Sequence, residues 1–564
     1  MPHAVSDEET HLDVAIIGAG WYGLTAANTY LKLEPDTRLA VFDKYDTVGG
    51  TWAKDRIYPN LVAQVEFGYF NYPSAPMSED GKPKNNLVTG DMIWKYLDKF
   101  AEDNKLKRYI QFNSWVSSVE RHPSGGWRLV VNGKVINAAK VVCAAGITTQ
   151  TNKPDFTIRD DSIPAIHAVE IAKKASTFQE PQNQHFVLLG AAKVIRDDGS
   201  GPMPIMPSKM LGMNTITAGA NRLMNYLSPS LMTTDTALGG FFHRTMVGRW
   251  LTRSYWGYVT SKANEAAGFG GNAGNVEGLK PQVQDNSCFW CESSLGLITM
   301  DDFWTTLKKA DINIVRDKVD VADSTGVTLR SGKRVNADYV IYATGWGDHF
   351  SFFSPELKEE LGIPPYGAPV PSKEAKRSQA VSTKVDPWYF HDKAADQTLA
   401  KKIPLLAAGP KDLDGWKRPG RKMTVRRWRL YNRTPTISEV QSLWAVAYLL
   451  GEVTLPAEED MIQEIAEWNA WTRRRYGSVG ERYPYALFDW IQYLDRLLRD
   501  LDVKTQRNGG KIADFFTPYG PHSYNGVVDE YMTVRKPNYR LKYNSKMALR
   551  NGGEKASSSS SHSD

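Results

Sequence analysis

The sequence predicts an α/β fold with two Rossmann-like domains, of which the first is discontinuous and the second is truncated. The first observation is an apolar run at residues 14–17, a glycine-rich turn at residues 18–23 and a helical pattern at residues 24–33. A second apolar run then ends at Asp43. The second observation is a strand pattern at residues 185–189 that also runs into a glycine.

Each residue of the first glycine-rich turn has a physical task in such a unit. Gly18 permits the tight turn, Gly20 lets the backbone approach a pyrophosphate, and Gly23 lets the helix pack closely on the strand. The N-terminus of the following helix presents free N–H groups to the phosphates. Asp43 is placed to accept hydrogen bonds from a ribose diol. The complete unit predicts dinucleotide binding and argues against the alternative, a Rossmann-like turn that binds nothing.

The residues after Asp43 indicate which dinucleotide is bound. They include Gly49-Gly50-Thr51-Trp52 and, after Arg56, the segment Tyr58-Pro-Asn60-Leu. These motifs resemble those of the class B flavin-dependent monooxygenases (the flavin-containing and Baeyer–Villiger type), and most of all the fungal FAD-dependent members of secondary-metabolite biosynthesis. Asp43 replaces the family's usual Glu and Asn60 replaces its Gly. The resemblance implies that the cofactor is FAD.

The resemblance also implies a set of FAD-binding residues. Gln64 stands where many members carry an amide near the flavin, so it is the candidate catalytic residue, and it shares the flavin face with Trp52. No residue is assigned as a general base. The FAD-binding candidates are Gly18, Gly20, Trp21, Tyr22, Gly23, Asp43, Gly50, Thr51, Trp52, Tyr58, Gln64, Val116, Thr344 and Gly345.

The likeness extends along most of the chain. Residues 337–346 form a strand pattern ending in Ala-Thr-Gly-Trp, which resembles the family's segment between its two nucleotide domains, and residues 439–451 and 483–498 match as well. The family's Phe-x-Gly-x-x-x-His fingerprint is looser here, since its glycine is missing and the segment ends later, at His167. A histidine with satisfied hydrogen bonds is favoured at this position over the family's hinge role.

The second nucleotide site departs most from the family. After Gly190 the chain continues Ala-Ala-Lys193 and enters at once a segment containing Arg196, which in relatives follows a crossover helix and another strand. Parallel strands need a crossover of a dozen or more residues. Either the segment was lost from the gene model and the enzyme binds NADPH through Gly190, Lys193 and Arg196, or the loss is genuine and NADPH binding is weak or absent. The first explanation is favoured because Arg196 survives as a partner for the 2′-phosphate.

Composition fits a cytoplasmic enzyme without a nucleic-acid partner or a membrane span. The chain has 564 residues, 41% of them hydrophobic and 23% charged, with a formal net charge of +6. The first residues are polar and acidic, unlike a secretory signal. The apolar run at residues 443–450 is too short to span a bilayer and predicts a buried helix. The basic run at residues 416–433 is interpreted as a solvated loop rather than a nucleic-acid site.

The three cysteines, Cys143, Cys288 and Cys291, indicate no disulfide framework. Cys288-Phe-Trp-Cys291 has the spacing of a redox motif, but bulky aromatic residues fill the gap and no basic residue is adjacent to lower a thiol pKa. No second ligand pair at suitable spacing supports zinc, so no metal site is predicted.

The family resemblance implies the reaction. NADPH reduces FAD, and one oxygen atom of O2 enters an apolar, polyketide- or terpenoid-like molecule by hydroxylation, epoxidation or a Baeyer–Villiger reaction. Two alternatives remain open: a flavin-linked disulfide oxidoreductase using Cys288 and Cys291, and a flavin-binding protein unable to accept hydride from NADPH.

The predicted domains are a disordered N-terminus (1–11), the FAD domain (12–175 and 325–550, the latter including a C-terminal helical region), an inserted NADPH and substrate domain (176–324), and a disordered serine-rich tail (551–564).

Overall fold

The computed structural model describes residues 10–152, 156–179, 185–189, 209–210, 213–280, 287–290, 301–361, 363, 388–409, 434–476 and 488–535. The strands are β1 (Thr10–Ile17), β2 (Leu39–Phe42), β3 (Val62–Glu66), β4 (Leu87–Thr89), β5 (Ile110–Gln111), β6 (Val116–Arg121), β7 (Trp127–Val131), β8 (Lys134–Cys143), β9 (Thr157–Ile158), β10 (Ala165–His167), β11 (Phe186–Leu189), β12 (Lys209–Met210), β13 (Met213–Asn214), β14 (Val319–Asp323), β15 (Gly326–Leu329), β16 (Arg334–Asn336) and β17 (Tyr339–Tyr342). The helices are α1 (Trp21–Leu33), α2 (Gly90–Asp103), α3 (Ala175–Gln179), α4 (Thr215–Ala218), α5 (Arg222–Leu227), α6 (Ala237–Arg244), α7 (Met246–Ala267), α8 (Phe303–Lys309), α9 (Pro355–Glu360), α10 (Trp388–Lys402), α11 (Pro404–Ala408), α12 (Thr434–Leu449), α13 (Glu458–Arg475), α14 (Trp490–Asp500), α15 (Lys511–Phe516) and α16 (Val527–Val534).

The first sheet has the strand order β5-β2-β1-β8-β7-β6. Strands β5, β2, β1 and β8 run parallel, β7 pairs antiparallel with β8, and β6 pairs antiparallel with β7. Strand β1 begins at Thr10, ahead of its apolar run, because Thr10 and His11 pair with Ile136 and Asn137 of β8. The prediction that residues 1–11 are all disordered is therefore wrong for Thr10 and His11, and the residues before them lie outside the described part.

Helix α1 covers one side of this sheet. It begins at Trp21 rather than at the predicted Leu24, because Gly20 is its N-cap and accepts the Leu24 N–H at 3.0 Å. Helix α12 packs against α1, and their hydroxyls meet where Thr25 Oγ1 lies 2.9 Å from Ser442 Oγ. Leu443 is fully buried in α12, which confirms the buried helix predicted over the apolar run there. None of the helices within the described ranges combines the length and apolar character needed to cross a bilayer.

The second sheet has the order β10-β17-β11 and is entirely parallel. Strands β11 and β17 confirm the two strand patterns predicted at residues 185–189 and 337–342. Each strand begins one or two residues later than its pattern. Beside it lies a sheet with the order β16-β15-β14-β9. The second sheet draws one strand from each of the three predicted domain segments, and the domain boundaries at 175/176 and 324/325 stay a prediction.

A buried ionic cluster joins α5 to the C-terminal helices α14 and α15. The Arg222 guanidinium donates to Asp495 at 2.5 Å and to Asp514 at 2.7 Å. It also donates to the carbonyl of Thr505 at 2.8 Å and to the hydroxyl of Tyr519 at 2.8 Å. Both carboxylates are buried, and the guanidinium balances their charge. The cluster therefore ties together three segments that are far apart in the sequence.

Replacement of Arg222 should strongly destabilise the fold. Arg222→Ala leaves two buried carboxylates without their cation, and the free energy of unfolding should fall by about 3–5 kcal/mol. Arg38→Ala is the matched control, because the Arg38–Asp13 pair is solvent-exposed and worth less than about 1 kcal/mol. Urea unfolding followed by circular dichroism measures both. Equal losses in the two variants would contradict the assigned role of the cluster.

Candidate functional site

A cavity of about 530 Å³ opens at the carboxyl ends of three parallel strands. Ile17, Phe42 and Cys143, the last residues of β1, β2 and β8, all line it. The N-terminus of α1 closes one side and α12 closes another. The carboxyl edge of a parallel sheet is where ligands bind in open α/β folds.

The glycines of the first turn differ in what they tolerate. A Cβ on Gly18 would lie 2.4 Å from the carbonyl oxygen of Ala144, and a Cβ on Gly23 would lie 1.8 Å from that of Gly18. A Cβ on Gly20 would meet nothing closer than the α-carbon of Gly50, at 3.8 Å. Gly18 and Gly23 are therefore required by the fold itself, whereas Gly20 leaves open space that a ligand can approach.

The N-terminus of α1 is prepared for an anion. Gly20 supplies no side-chain cap, so no side chain competes for the first amides of this 13-residue helix. Those amides carry the positive end of the helix dipole. The site's donors therefore fit a pyrophosphate at this helix end.

Asp43 follows β2 at the edge of the cavity. One carboxylate oxygen accepts the Ala19 N–H at 2.6 Å, and the other accepts the Tyr45 N–H at 2.9 Å. Burial raises the pKa of Asp43 above its ordinary value, and these amides together with Lys44 and Arg56 oppose that effect. Each carboxylate oxygen keeps a lone pair for a further donor, which fits a ribose hydroxyl.

A second glycine turn faces the first. Gly49 and Gly50 have φ values of +124° and +60°, which a residue with a side chain rarely adopts. A Cβ on Gly50 would lie 3.5 Å from the α-carbon of Gly20, so the two turns form a narrow cradle without side chains. Thr51 follows, with its Oγ1 2.7 Å from Thr148 Oγ1.

Most of the predicted FAD-binding residues meet in this cavity. Trp21 packs edge-on against Phe70 and Tyr72, and Trp52 also makes an edge contact with Phe70, at 6.0 Å between ring centroids. The predicted residues that line the cavity are Gly18, Gly20, Trp21, Tyr22, Asp43, Gly50, Thr51, Trp52 and Val116. Gly23 lies behind them against Gly18, as its packing role requires.

Three predicted residues lie away from the cavity lining. Tyr58 sits in a turn whose carbonyl accepts the Leu61 N–H. Thr344 and Gly345 follow β17, which belongs to the second sheet, and both bind Asn152: Thr344 Oγ1 donates to its carbonyl at 2.6 Å, and the Gly345 carbonyl accepts its N–H at 3.0 Å. They join two loops rather than line the cavity, and their role in cofactor binding stays a prediction.

Four predicted residues fall outside what the structure describes. Gln64 has its backbone in β3, but its side chain is not among the described side chains. Gly190, Lys193 and Arg196 lie in the undescribed stretch after β11, as does the point of the missing crossover. Their roles stay predictions.

The sequence reasoning missed several residues of the cavity wall. Cys143 ends β8, and burial raises the pKa of its thiol to about 11. Residues 144–150 continue the wall, and Gln441 and Ser442 add the α12 side. The end of β8 was open to prediction, because it is an apolar strand running into a glycine turn. Gln441 and Ser442 lie within residues 439–451, which match the family, but that match does not indicate a place in the cavity wall.

A second cleft of about 420 Å³ adjoins the cavity and shares Tyr45, Arg56, Thr149 and Gln150 with it. Its far side is formed by residues after β10 and β17, namely Val169, Glu170, Lys173 and Trp346. The carboxyl edges of both parallel sheets therefore open into one continuous depression.

His167 lies at the end of β10 beside this cleft. Its Nδ1 accepts the Val169 N–H at 3.2 Å, and its Nε2 lies 3.1 Å from the carbonyl oxygen of Gly345. The ring meets Trp346 at 5.2 Å between centroids. The prediction of a satisfied histidine is confirmed, and the hinge role stays a prediction.

The cysteine pair gives a redox mechanism little support. Cys288 is fully buried among Trp256, Phe289 and Trp290, its N–H donates to Thr260 Oγ1 at 3.0 Å, and it does not line the cavity. Cys291 lies outside the described residues. An inaccessible thiol in apolar surroundings is poorly suited to disulfide exchange. Among the described residues no cluster of three or more His, Cys, Asp or Glu side chains could hold a metal ion.

Comparison with known proteins identifies the family. Residues 11–183 match the family model of flavin-binding monooxygenase-like proteins. FAD-dependent monooxygenase DEP4 of Alternaria brassicicola is 32% identical over 93% of this chain and 95% of its own length. FAD-dependent monooxygenase resA of Aspergillus sclerotiorum is 29% identical over 92% of this chain and 98% of its own.

One solved structure supports the fold. The polycyclic ketone monooxygenase of Thermothelomyces thermophila aligns with a TM-score of 0.53 at 14% identity, covering 88% of this chain and 89% of that chain. This likeness supports the predicted α/β class alone. The sequence relatives establish that the chain belongs to the flavin-binding monooxygenase-like family, which confirms the predicted family and its FAD cofactor.

Proposed function

We propose that this FAD-dependent monooxygenase holds FAD in the cavity between α1 and α12 and uses NADPH and O2 to oxygenate an apolar organic molecule. The observation that carries the proposal is the side-chain-free cradle of Gly20 and Gly50 beside the uncapped N-terminus of α1. Packing does not require a glycine at position 20, because a Cβ there would have no contact shorter than 3.8 Å. The cradle is suited to a ligand whose phosphates approach the backbone.

The chain's own residues divide the work of binding. The α1 amides would hold the pyrophosphate and Asp43 would accept a ribose hydroxyl. Trp21, Trp52 and Phe70 would form the apolar wall that excludes water from the flavin. FAD held there would supply the redox and oxygen chemistry, and these residues would orient it and keep water away.

The second cleft is the proposed place for NADPH. It lies where β10 and β17 end, and β11 ends at the same edge immediately before Gly190. Ligands of parallel sheets bind at this edge. Lys173 supplies a cation in the cleft, and the shared wall at Thr149 and Gln150 keeps the two ligands adjacent.

The substrate class is proposed from composition. The 17 Trp, 26 Tyr and 20 Phe exceed what two nucleotide sites require, and an aromatic pocket suits an apolar, polyketide- or terpenoid-like molecule. Gln64 stays the proposed residue at the reacting centre. Hydroxylation, epoxidation and Baeyer–Villiger oxygenation are all compatible with this assignment.

A second candidate is a flavin-binding protein that does not accept hydride. The sequence favours it through one observation, the direct passage from Lys193 into the Arg196 segment without a crossover helix. The two candidates share the FAD site and differ only in the response to NADPH. The disulfide oxidoreductase is disfavoured by the burial of Cys288.

Two glycine variants should separate cofactor binding from folding. Gly20→Ala should weaken FAD binding by about tenfold or more, a loss of roughly 1.4 kcal/mol, while the apoprotein keeps its thermal stability. Gly23→Ala should lose both FAD binding and thermal stability, because its Cβ would lie 1.8 Å from the Gly18 carbonyl oxygen. FAD fluorescence titration and apoprotein melting measure the two effects. Wild-type FAD affinity in Gly20→Ala would contradict the proposed site.

NADPH should reduce the bound flavin. In anaerobic stopped-flow mixing, the visible absorbance of the FAD-loaded protein should bleach with NADPH as it does with dithionite. Bleaching by dithionite alone would reject the NADPH step and establish the second candidate. A Cys288→Ser/Cys291→Ser double variant should bleach like wild type, since the cysteines take no part in the proposed reaction.

A lysine pair tests the location of NADPH. Lys173→Ala should raise the NADPH concentration for half-maximal reduction by roughly two- to fivefold, the effect of losing one solvent-screened ionic contact. Lys174→Ala is the matched control, because Lys174 is exposed and does not line the cleft. Equal responses of the two variants would place NADPH elsewhere.

A further inference from the structure

The corner between α6 and α7 exposes an unusual group of apolar side chains. Met246 is 78% exposed, Trp250 64% and Val247 59%. Single exposed apolar side chains are common on protein surfaces, but here three large ones are neighbours and form a contiguous patch. Phe241 and Leu251 extend the same surface at 38% and 37% exposure. This group of five residues is the α6–α7 corner.

The exposed side chains do not belong to the face by which α7 packs on the core. Helix α7 already buries a separate stripe made of Gly248, Thr252, Trp256, Val259, Ala263 and Ala267. At 3.6 residues per turn, Trp250 and Val247 lie on the side of the helix opposite that stripe. Helix α7 is therefore anchored by one face and displays apolar residues on the other.

The corner is held in a fixed shape. The Thr245 hydroxyl caps α7 by accepting the Gly248 N–H at 3.0 Å, and it donates to the Phe241 carbonyl at 2.7 Å. A Cβ on Gly248 would lie 2.0 Å from that same carbonyl oxygen, so α6 and α7 are in close contact. The apolar residues are thus presented without an ordering step, which favours their use as a preformed contact surface.

Charge identifies the partner. No Asp or Glu occurs between Asp235 and Glu265, whereas this stretch contains Arg244, Arg249, Arg253 and Lys262. A helix with an apolar face including Trp and with flanking basic residues binds at the surface of an anionic bilayer. Lys262 is paired with Glu265, which leaves the three arginines to set the charge of this surface. A second copy of the chain is disfavoured, because a two-fold contact would set these arginines against their own copies.

We propose that the α6–α7 corner docks on an anionic lipid bilayer. Met246, Val247 and Trp250 enter the boundary between headgroups and acyl chains, and Arg253 faces the headgroups. This is a peripheral contact and requires no membrane-spanning helix. It is independent of the proposed reaction, since none of these residues lines the cavity or the cleft.

Vesicle flotation of the full-length, FAD-loaded protein tests the proposal. The protein should float with vesicles of phosphatidylcholine and phosphatidylserine, and less with phosphatidylcholine alone. Trp250→Asp should lower the partition coefficient by about tenfold or more, as expected from losing the burial of one large apolar side chain. Arg253→Gln should lower binding to the anionic vesicles only, and added salt should have the same effect.

Ile512→Asp is the control of matched exposure, because Ile512 is 79% exposed and lies on α15 rather than on α6 or α7. It should bind vesicles like wild type, and all variants should retain FAD. Three results would each overturn the proposal: no flotation of the wild type with anionic vesicles, equal flotation of Trp250→Asp, or a wild-type dimer in sedimentation that Trp250→Asp dissociates.

Discussion

The site depends on the contact between Gly23 and the carbonyl oxygen of Gly18. A Cβ at position 23 would lie 1.8 Å from that oxygen, so no other residue allows α1 to begin so close to the end of β1. This close contact places the N-terminus of α1 at the carboxyl ends of the strands and leaves the Gly20 backbone exposed to the cavity. It also places Ala19, whose N–H fixes the Asp43 carboxylate. The anion site and the ribose acceptor therefore follow from a single missing methyl group.

The loop after β8 extends this arrangement to the second sheet. On one side it is held by Lys44 Nζ, which donates to the Thr149 carbonyl at 3.0 Å, and by Arg56, which donates to the Thr148 carbonyl. At its far end Asn152 binds Thr344 and Gly345. The same backbone thus walls the cavity and the cleft. If FAD and NADPH bind as proposed, this shared wall would keep them adjacent, as transfer of a hydride between them requires.

The sequence predicted the parts of the site that are local. The glycine turn, Asp43 and the Gly49-Gly50 turn carry their physical roles in a few consecutive residues, and all lie where the patterns placed them. Thr344 and Gly345 lie outside this cavity because β17 joins the second sheet, which a strand followed by a glycine turn does not reveal. Their cofactor role stays a prediction. The N-terminal boundary was misplaced because Thr10 and His11 are ordered by pairing with β8 rather than by their own apolarity.

The α12 wall shows why the rest was out of reach. Ser442 is 417 positions from Thr25, and the two hydroxyls meet only because the C-terminal region folds back on α1. No periodicity or motif encodes such a pairing, since it is decided by which buried surfaces complement one another in three dimensions. The same separation has a consequence for folding. Without α12 the cavity would lack one of its walls, so a closed site requires the chain as far as this C-terminal helix.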